Sequence, residues 1–444
     1  MKNEEIMKSG SVWKAIASMA IPSAVIMIVM IFYNIADMYF IAKIGDASQV
    51  AAVSVVSPIF SIISAVAMML GNGGCTMIAK AYGQGETTKA KIYSSLCIWF
   101  AVICSAVVIV FVLLFTDPLL RFLGANSDVF SYAKEYLYPI ILGTSFFMLS
   151  NTIALLLRAE GSVMAGFTGN MIGTVTNLIL DPIFILGFRW GVAGAAWASV
   201  LGNVFAVVYY AWIILKQSKA LSFSPAHACK EIVAIGHIVL LGLPNAIANL
   251  LSGFASTFSN QLLSDYGTDA LAAMAAAGKC TMITGSLVMS ICMGCQALIA
   301  YNYGAQNIVR LKEIVRKLTL LVFSISFGVG LLCMTFRKQI IMQFLHEADV
   351  IELGTHMLTV LLVTSPIIGI GYLVSGYFQA IDRPVESLVV SILRQGVLLI
   401  PALYLLDKLF SLEGVIWAYV VADIFGALVA VCVYWKGRKR CVIS

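Results

Sequence analysis

With 444 residues, 61% of them hydrophobic and only 11% charged, the chain is too apolar for a soluble protein, where about half the residues are apolar and about a quarter charged. The formal net charge of +6 is dispersed between apolar segments, which excludes a nucleic-acid surface gathered on one soluble face. Runs of the ~20 apolar residues needed to cross a bilayer recur along nearly the whole sequence, so the fold class read here is an all-α polytopic membrane protein.

In chain order the spans are predicted near 15–40, 50–79, 91–115, 133–157, 163–187 and 192–215, then 235–263, 271–300, 313–336, 354–380, 385–406 and 414–435. These segments are continuously apolar and lack the alternation over about 10 residues that marks barrel strands. The first follows Glu4 and Glu5, carries Pro22 and Asp37 and has no small-residue cleavage site, so it is read as a retained span and not a signal peptide. One set of alternating loops holds 19 lysines and arginines and the other 7. Positive residues stay in the cytoplasm, which places both termini and the central connection inside a plasma-membrane protein and requires an even number of spans. The ten cysteines lie mostly within spans, and the one close pair, Cys292 and Cys295, has no second pair to complete a metal site. They read as small apolar filler.

The sequence repeats itself. Pro22, Gly45, Ala79, Tyr82, Gly83 and Lys89 recur as Pro244, Gly267, Ala300, Tyr303, Gly304 and Arg310 at an offset of 221 or 222 residues, and Gly194 and Trp197 return as Gly414 and Trp417 at 220. Two lobes of six helices are expected, residues 1–220 and 221–444, both starting on the same side of the membrane. Parallel repeats of this kind build secondary transporters.

Several polar groups lie where a bilayer tolerates them poorly. Asn34 and Asp37 share a face of the first span, beside Tyr33, and Asn177 and Asp181 share a face of the fifth, immediately before Pro182. A carboxylate at the bilayer centre costs at least ~2.5 kcal/mol unless satisfied. With Ser199 on the sixth span, these groups form an oxygen-rich cluster suited to a hard cation, and two carboxylates held close also raise one pKa enough to take up a proton. Asp37, Asn177 and Asp181 are thus candidate ligands for sodium, with hydronium or a proton as the other coupling ions; the competing placement is at helix ends, solvated by water. In the second half Ser256 and Ser259 replace Asn34 and Asp37, so the cluster is not duplicated. Lys279, Arg394 and Asp423 are further charges at membrane depth, and Lys279 and Arg394 are candidates for a substrate cavity. Pro22 is a candidate hinge, about 22 Å along the helix from Asp37. No P-loop, His-Glu-x-x-His site or Gly-x-Ser-x-Gly elbow occurs, so neither an ATP engine, a catalytic activity nor a cofactor is expected.

Six elements in order carry a family resemblance: Pro22 with Asp37 fifteen residues on, Gly83, Asn177–Pro182 (NLILDP), Asn302–Ala305 (NYGA), Arg394-Gln395 ahead of Pro401, and Gly414–Trp417 (GVIW) ahead of Asp423. Over essentially the whole chain this resembles the multidrug and toxic compound extrusion (MATE) family. The resemblance implies a V-shaped pair of six-helix lobes in the lipid bilayer that exports amphipathic, often cationic organic compounds in exchange for sodium or protons; a monomer without a nucleic-acid partner is expected. It implies a cation site at Asp37, Asn177, Asp181 and Ser199, lined by Tyr33 and Asn34, and a bending role for Pro22. The seventh and tenth spans hold no Asp or Glu, unlike the NorM-type branch, so the DinF-type or MepA-like branches are the nearer fit. A lipid or lipid-linked oligosaccharide flippase of the same superfamily is the alternative.

Overall fold

The computed structural model describes the backbone of residues 6–8, 10–42 and 47–441, with side chains of all of these except 31–42, 47, 50 and 438–441. Among the described residues there is no strand. The main helices are α1 (Val12–Ala42), α2 (Ala47–Gly83), α3 (Thr87–Leu114), α4 (Ser127–Leu142), α5 (Thr144–Ala159), α6 (Val163–Asp181), α7 (Gly191–Lys216), α8 (Ala234–Ser264), α9 (Thr268–Gly304), α10 (Ile308–Thr335), α11 (Ala348–Leu362), α12 (Ser365–Ala380), α13 (Pro384–Ile392) and α14 (Leu399–Cys441). Helices satisfy their own backbone polar groups, which hydrocarbon cannot do for them.

Nine helical segments among the described residues are long and apolar enough to cross a membrane, and two bent pairs, α4 with α5 at 53° and α11 with α12 at 48°, add two more. The last segment, Pro384–Gly437, runs for 54 residues, about 80 Å of helix against a hydrocarbon core of about 30 Å. It breaks at Ser411, whose φ of 53° and ψ of −135° are not helical. That break makes two spans of it, and the expected twelve result.

Backbone geometry repeats with the sequence. Positive φ values occur at Gly85 and Gln306, at Gly161 and Asp382, and at Gly191 and Ser411, pairs separated by 221, 221 and 220 residues. Each marks a turn between spans that needs a left-handed residue; the first half supplies glycine, whereas the second accepts about 1–2 kcal/mol of strain at a residue with a side chain. The duplicated glycines have a related reason. A Cβ on Gly83 would fall 2.1 Å from the Tyr301 carbonyl oxygen, and one on Gly304 2.2 Å from that of Lys80. Lys80 and Tyr301 are themselves 221 residues apart, so repeated residues meet in a reciprocal backbone contact. Gly194 and Gly414 likewise abut backbone, Phe184 and Leu406 respectively, where the chain doubles back.

The chain divides into two compact units. One holds Ile21–Gly242, Ala300–Gln306 and the described part of Met1–Gly10; the other holds Ser11–Ala20, Leu243–Ile299 and the described residues from Asn307 onward. The divisions at 20/21 and 242/243 fall just ahead of Pro22 and Pro244, which are both buried. Each unit has its own apolar interior, around Ile63, Leu70, Leu137 and Met148 in the first and around Ala277, Leu358, Leu403 and Ile416 in the second.

Candidate functional site

The first unit builds its polar cluster by bringing α6 and α7 unusually close. Gly166, Gly169 and Gly173 are spaced three and four apart along α6. The Tyr210 hydroxyl of α7 donates to the Gly166 carbonyl at 2.9 Å, and a Cβ on Gly169 would lie 2.1 Å from the Tyr210 ring. Farther along, a Cβ on Gly202 would lie 2.6 Å from the Gly173 carbonyl oxygen and 3.4 Å from the Asn177 Cβ. Small residues let backbones approach in a membrane, where apolar burial gives no preference for helix over lipid. Asn177, one turn beyond Gly173, is thereby set against Ser199, nearly one turn before Gly202.

Asn177 and Asp181 are 2% and 0% exposed. With the carboxamide nitrogen toward the acid, Asn177 donates to Asp181 Oδ2 at 2.9 Å and its oxygen accepts from Ser199 Oγ at 3.0 Å. The opposite orientation leaves only a 3.4 Å contact to Asp181 Oδ1 and a 3.0 Å bond to Ser199; the first is adopted because an ionised carboxylate only accepts. Pro182 follows, without an N–H, and the chain continues through Pro182–Gly187 as a wider π turn, with the Phe188 N–H donating to the Ile183 carbonyl at 2.8 Å. Such turns re-aim backbone at functional positions. The structure therefore brings Asn177, Asp181 and Ser199 together. Tyr33, Asn34 and Asp37, the first helix's expected share of the cluster, have side chains outside the described residues. Pro22 lies inside α1, which runs on through it as continuous helix.

The second unit holds a polar centre that the sequence reading missed. Gln379 is fully buried. Its Oε1 accepts from Asn245 Nδ2 at 3.0 Å and Gln296 Nε2 at 3.1 Å, and its Nε2 donates to Ser387 Oγ at 3.0 Å. Ser375 bridges Ser387 and Ser391 at 2.8 and 3.1 Å. This network borders a cavity of about 100 Å³ whose lining includes Asn245, Ser375, Ser391 and Arg394. A signal in the sequence that could have found it is Asn245, directly after the repeated Pro244.

Arg394 sits in a second π turn, Leu393–Leu398. Its Nε donates to Asp423 Oδ1 at 2.9 Å, Thr364 Oγ1 donates to Asp423 Oδ2 at 3.0 Å, and the guanidinium lies 4.9 Å from the Tyr372 ring centroid. Thr364 stands at the bend between α11 and α12. Lys279, in contrast, is exposed and rests over the Phe344 ring at 5.4 Å; it is not among the residues lining this cavity. Among the described residues no group of three or more His, Cys, Asp or Glu side chains is placed to hold a metal.

Each half of the chain is matched by one copy of the MatE family model, over residues 22–183 and 244–405. The matches begin at the two repeated prolines and together cover well over half of the sequence. The chain belongs to the MatE family. Multidrug export protein MepA of Staphylococcus aureus is 28% identical over 446 aligned residues, spanning 100% of this chain and 98% of that protein. A MATE protein solved in complex with MaL6 superposes with a TM-score of 0.92 at 24% identity, covering 99% of this chain and 98% of that one, a likeness of fold. An outward-facing multidrug resistance MATE transporter of the MOP superfamily gives a TM-score of 0.89 at 25% identity, with the same coverage. This multi-pass MatE chain thus has a MepA relative, as the absence of acids from its seventh and tenth spans suggested.

Proposed function

We propose that the chain exports amphipathic, often cationic organic compounds by antiport with sodium or protons, coupled at Asp181, Asn177 and Ser199 together with Asp37, Asn34 and Tyr33 of α1. The observation that carries this reading is a fully buried carboxylate, Asp181, bound to a buried amide between two membrane-spanning helices. Hard cations take oxygen ligands, and Asp181, Asn177 and Ser199 offer carboxylate, amide and hydroxyl oxygens. The similarity to multidrug export protein MepA supports a xenobiotic cargo. The alternative, a lipid or lipid-linked oligosaccharide flippase, is less supported, since the similarity over the full length is to a multidrug export protein. In cells the test is efflux of a fluorescent cationic dye with the sodium and proton gradients collapsed separately: one collapse is expected to stop it, and efflux that survives both would end the antiport reading.

The plasma membrane, with both termini cytoplasmic, is the orientation that the loop charges favour. Cys229, exposed in the central connection, provides a native reporter. It is expected to resist a membrane-impermeant maleimide in intact cells and to react in inverted vesicles; labelling from outside would reverse the topology.

A further inference from the structure

We propose that the cavity of the second unit is a subsite for an anionic head group, a carboxylate, sulfonate or phosphate carried on an amphiphile. The inference deepens the export reading and rests on it only in supposing that amphiphiles are the cargo. The lining is the first argument. Among the described residues it contains no carboxylate, and its one formal charge is the Arg394 guanidinium. The nearby acid, Asp423, does not line the cavity, and its two oxygens accept from Arg394 at 2.9 Å and from Thr364 at 3.0 Å. Arginine, in turn, has five N–H donors in a planar fork, of which Asp423 takes the Nε hydrogen and Tyr372 another, leaving the rest for a ligand. The fork is suited to a second anion, and charge-assisted bonds of this type are about twice as strong as neutral ones.

Size and surroundings agree. A volume of about 100 Å³ is enough for a head group and far below the ~300 Å³ of a whole-drug pocket. Asn249, Ser252 and Gln395 add neutral hydrogen-bonding groups to the wall, while Met289 and Met293 give it a soft apolar side for the start of a tail. Behind the wall, the Gln379 network holds Asn245, Ser375 and Ser391 in place. A head group entering here meets the guanidinium directly, whereas the acid paired with it, Asp423, stands outside the lining. The lining thus presents a guanidinium where the first unit presents the carboxylate of Asp181.

The structure also offers a way to fill the cavity without breaking the ion pair. A Cβ on Gly376, a lining residue, meets nothing within 4 Å, so Gly376→Phe enters open space from a helix that gains propensity by losing glycine. A double variant, Arg394→Gln with Asp423→Asn, removes both charges together and leaves neither buried alone. The full-length chain in phosphatidylcholine nanodiscs is titrated with pyrenebutanoate and, as its matched cation, pyrenebutylammonium. Both variants are expected to weaken pyrenebutanoate about tenfold or more and to change pyrenebutylammonium less than about twofold. Replacing part of the lipid by phosphatidylglycerol distinguishes two sources of the anion: weakening of pyrenebutanoate confined to the wild type assigns the subsite to a lipid head group, and no change assigns it to a free amphiphile. Equal binding of the two probes by the wild type, or pyrenebutanoate affinity unchanged in Gly376→Phe, overturns the proposal. The measurement is made at equilibrium without any gradient, so failed ion coupling would sink the antiport reading and leave this one standing.

Discussion

Asp181→Asn is expected to reduce gradient-driven efflux about a hundredfold or more while leaving folded protein in the membrane. The substitution is isosteric, and a side-chain oxygen remains to accept from Asn177 at 2.9 Å, so the α6 and α7 contact survives. What goes is the charge. A buried carboxylate stripped of charge loses its attraction for a cation, and removing one member of a buried, hydrogen-bonded charge pair costs roughly 2–5 kcal/mol, about 30-fold to several thousandfold in affinity. Asp37→Asn should act in the same direction if α1 contributes the second carboxylate. The check is initial efflux rate against sodium or proton concentration, normalised to surface expression. Normal transport by Asp181→Asn would remove this cluster from the coupling mechanism.

Gly202→Val should damage both stability and transport, for a reason that lies in the backbone. The new Cβ would stand 2.6 Å from the Gly173 carbonyl oxygen, and backbone yields only if the helices separate. Overpacking of this kind costs about 1–3 kcal/mol. The separation would also draw Ser199 away from Asn177, because the same crossing sets both. Gly253→Ala is the control of opposite sign: its Cβ meets nothing within 4 Å, and replacing a helical glycine is worth about 0.5–1 kcal/mol of stabilisation. Thermal unfolding midpoints in detergent should fall for Gly202→Val and hold or rise for Gly253→Ala. A Gly202→Val protein with unchanged midpoint and unchanged efflux would show that the close crossing does not position the cluster.

The helices, their number and the duplication were legible because each rests on local information: apolar runs of bilayer length, charged loops, and glycines at constant offset. Asn177 and Asp181 were legible as a pair since a spacing of four places them on one helix face. The sequence did not show what brings Ser199 to them, because Gly173 against Gly202 is a contact between helices. Gln379 was missed for a related reason. A single uncharged amide in an apolar span gives little signal, and its partners Asn245, Gln296 and Ser387 come from three other helices. Arg394 and Asp423 were visible as charges, yet their pairing spans 29 residues and follows from packing between spans. Lys279 carried the same signal as Arg394 in sequence, and the structure sets it on an exposed face over Phe344. The strained turns at Gln306, Asp382 and Ser411 were hidden because none of them is the glycine that marks its counterpart.

The central claim is exchange, and it is tested most directly in proteoliposomes containing the purified chain and loaded with a cationic dye. Outward dye movement should drive sodium or protons inward against an initially zero gradient, read as ²²Na uptake or as acidification of the lumen. Wild type is expected to move one of the two ions, and Asp181→Asn neither. Dye that leaves the vesicles at the wild-type rate with no movement of either ion would contradict antiport.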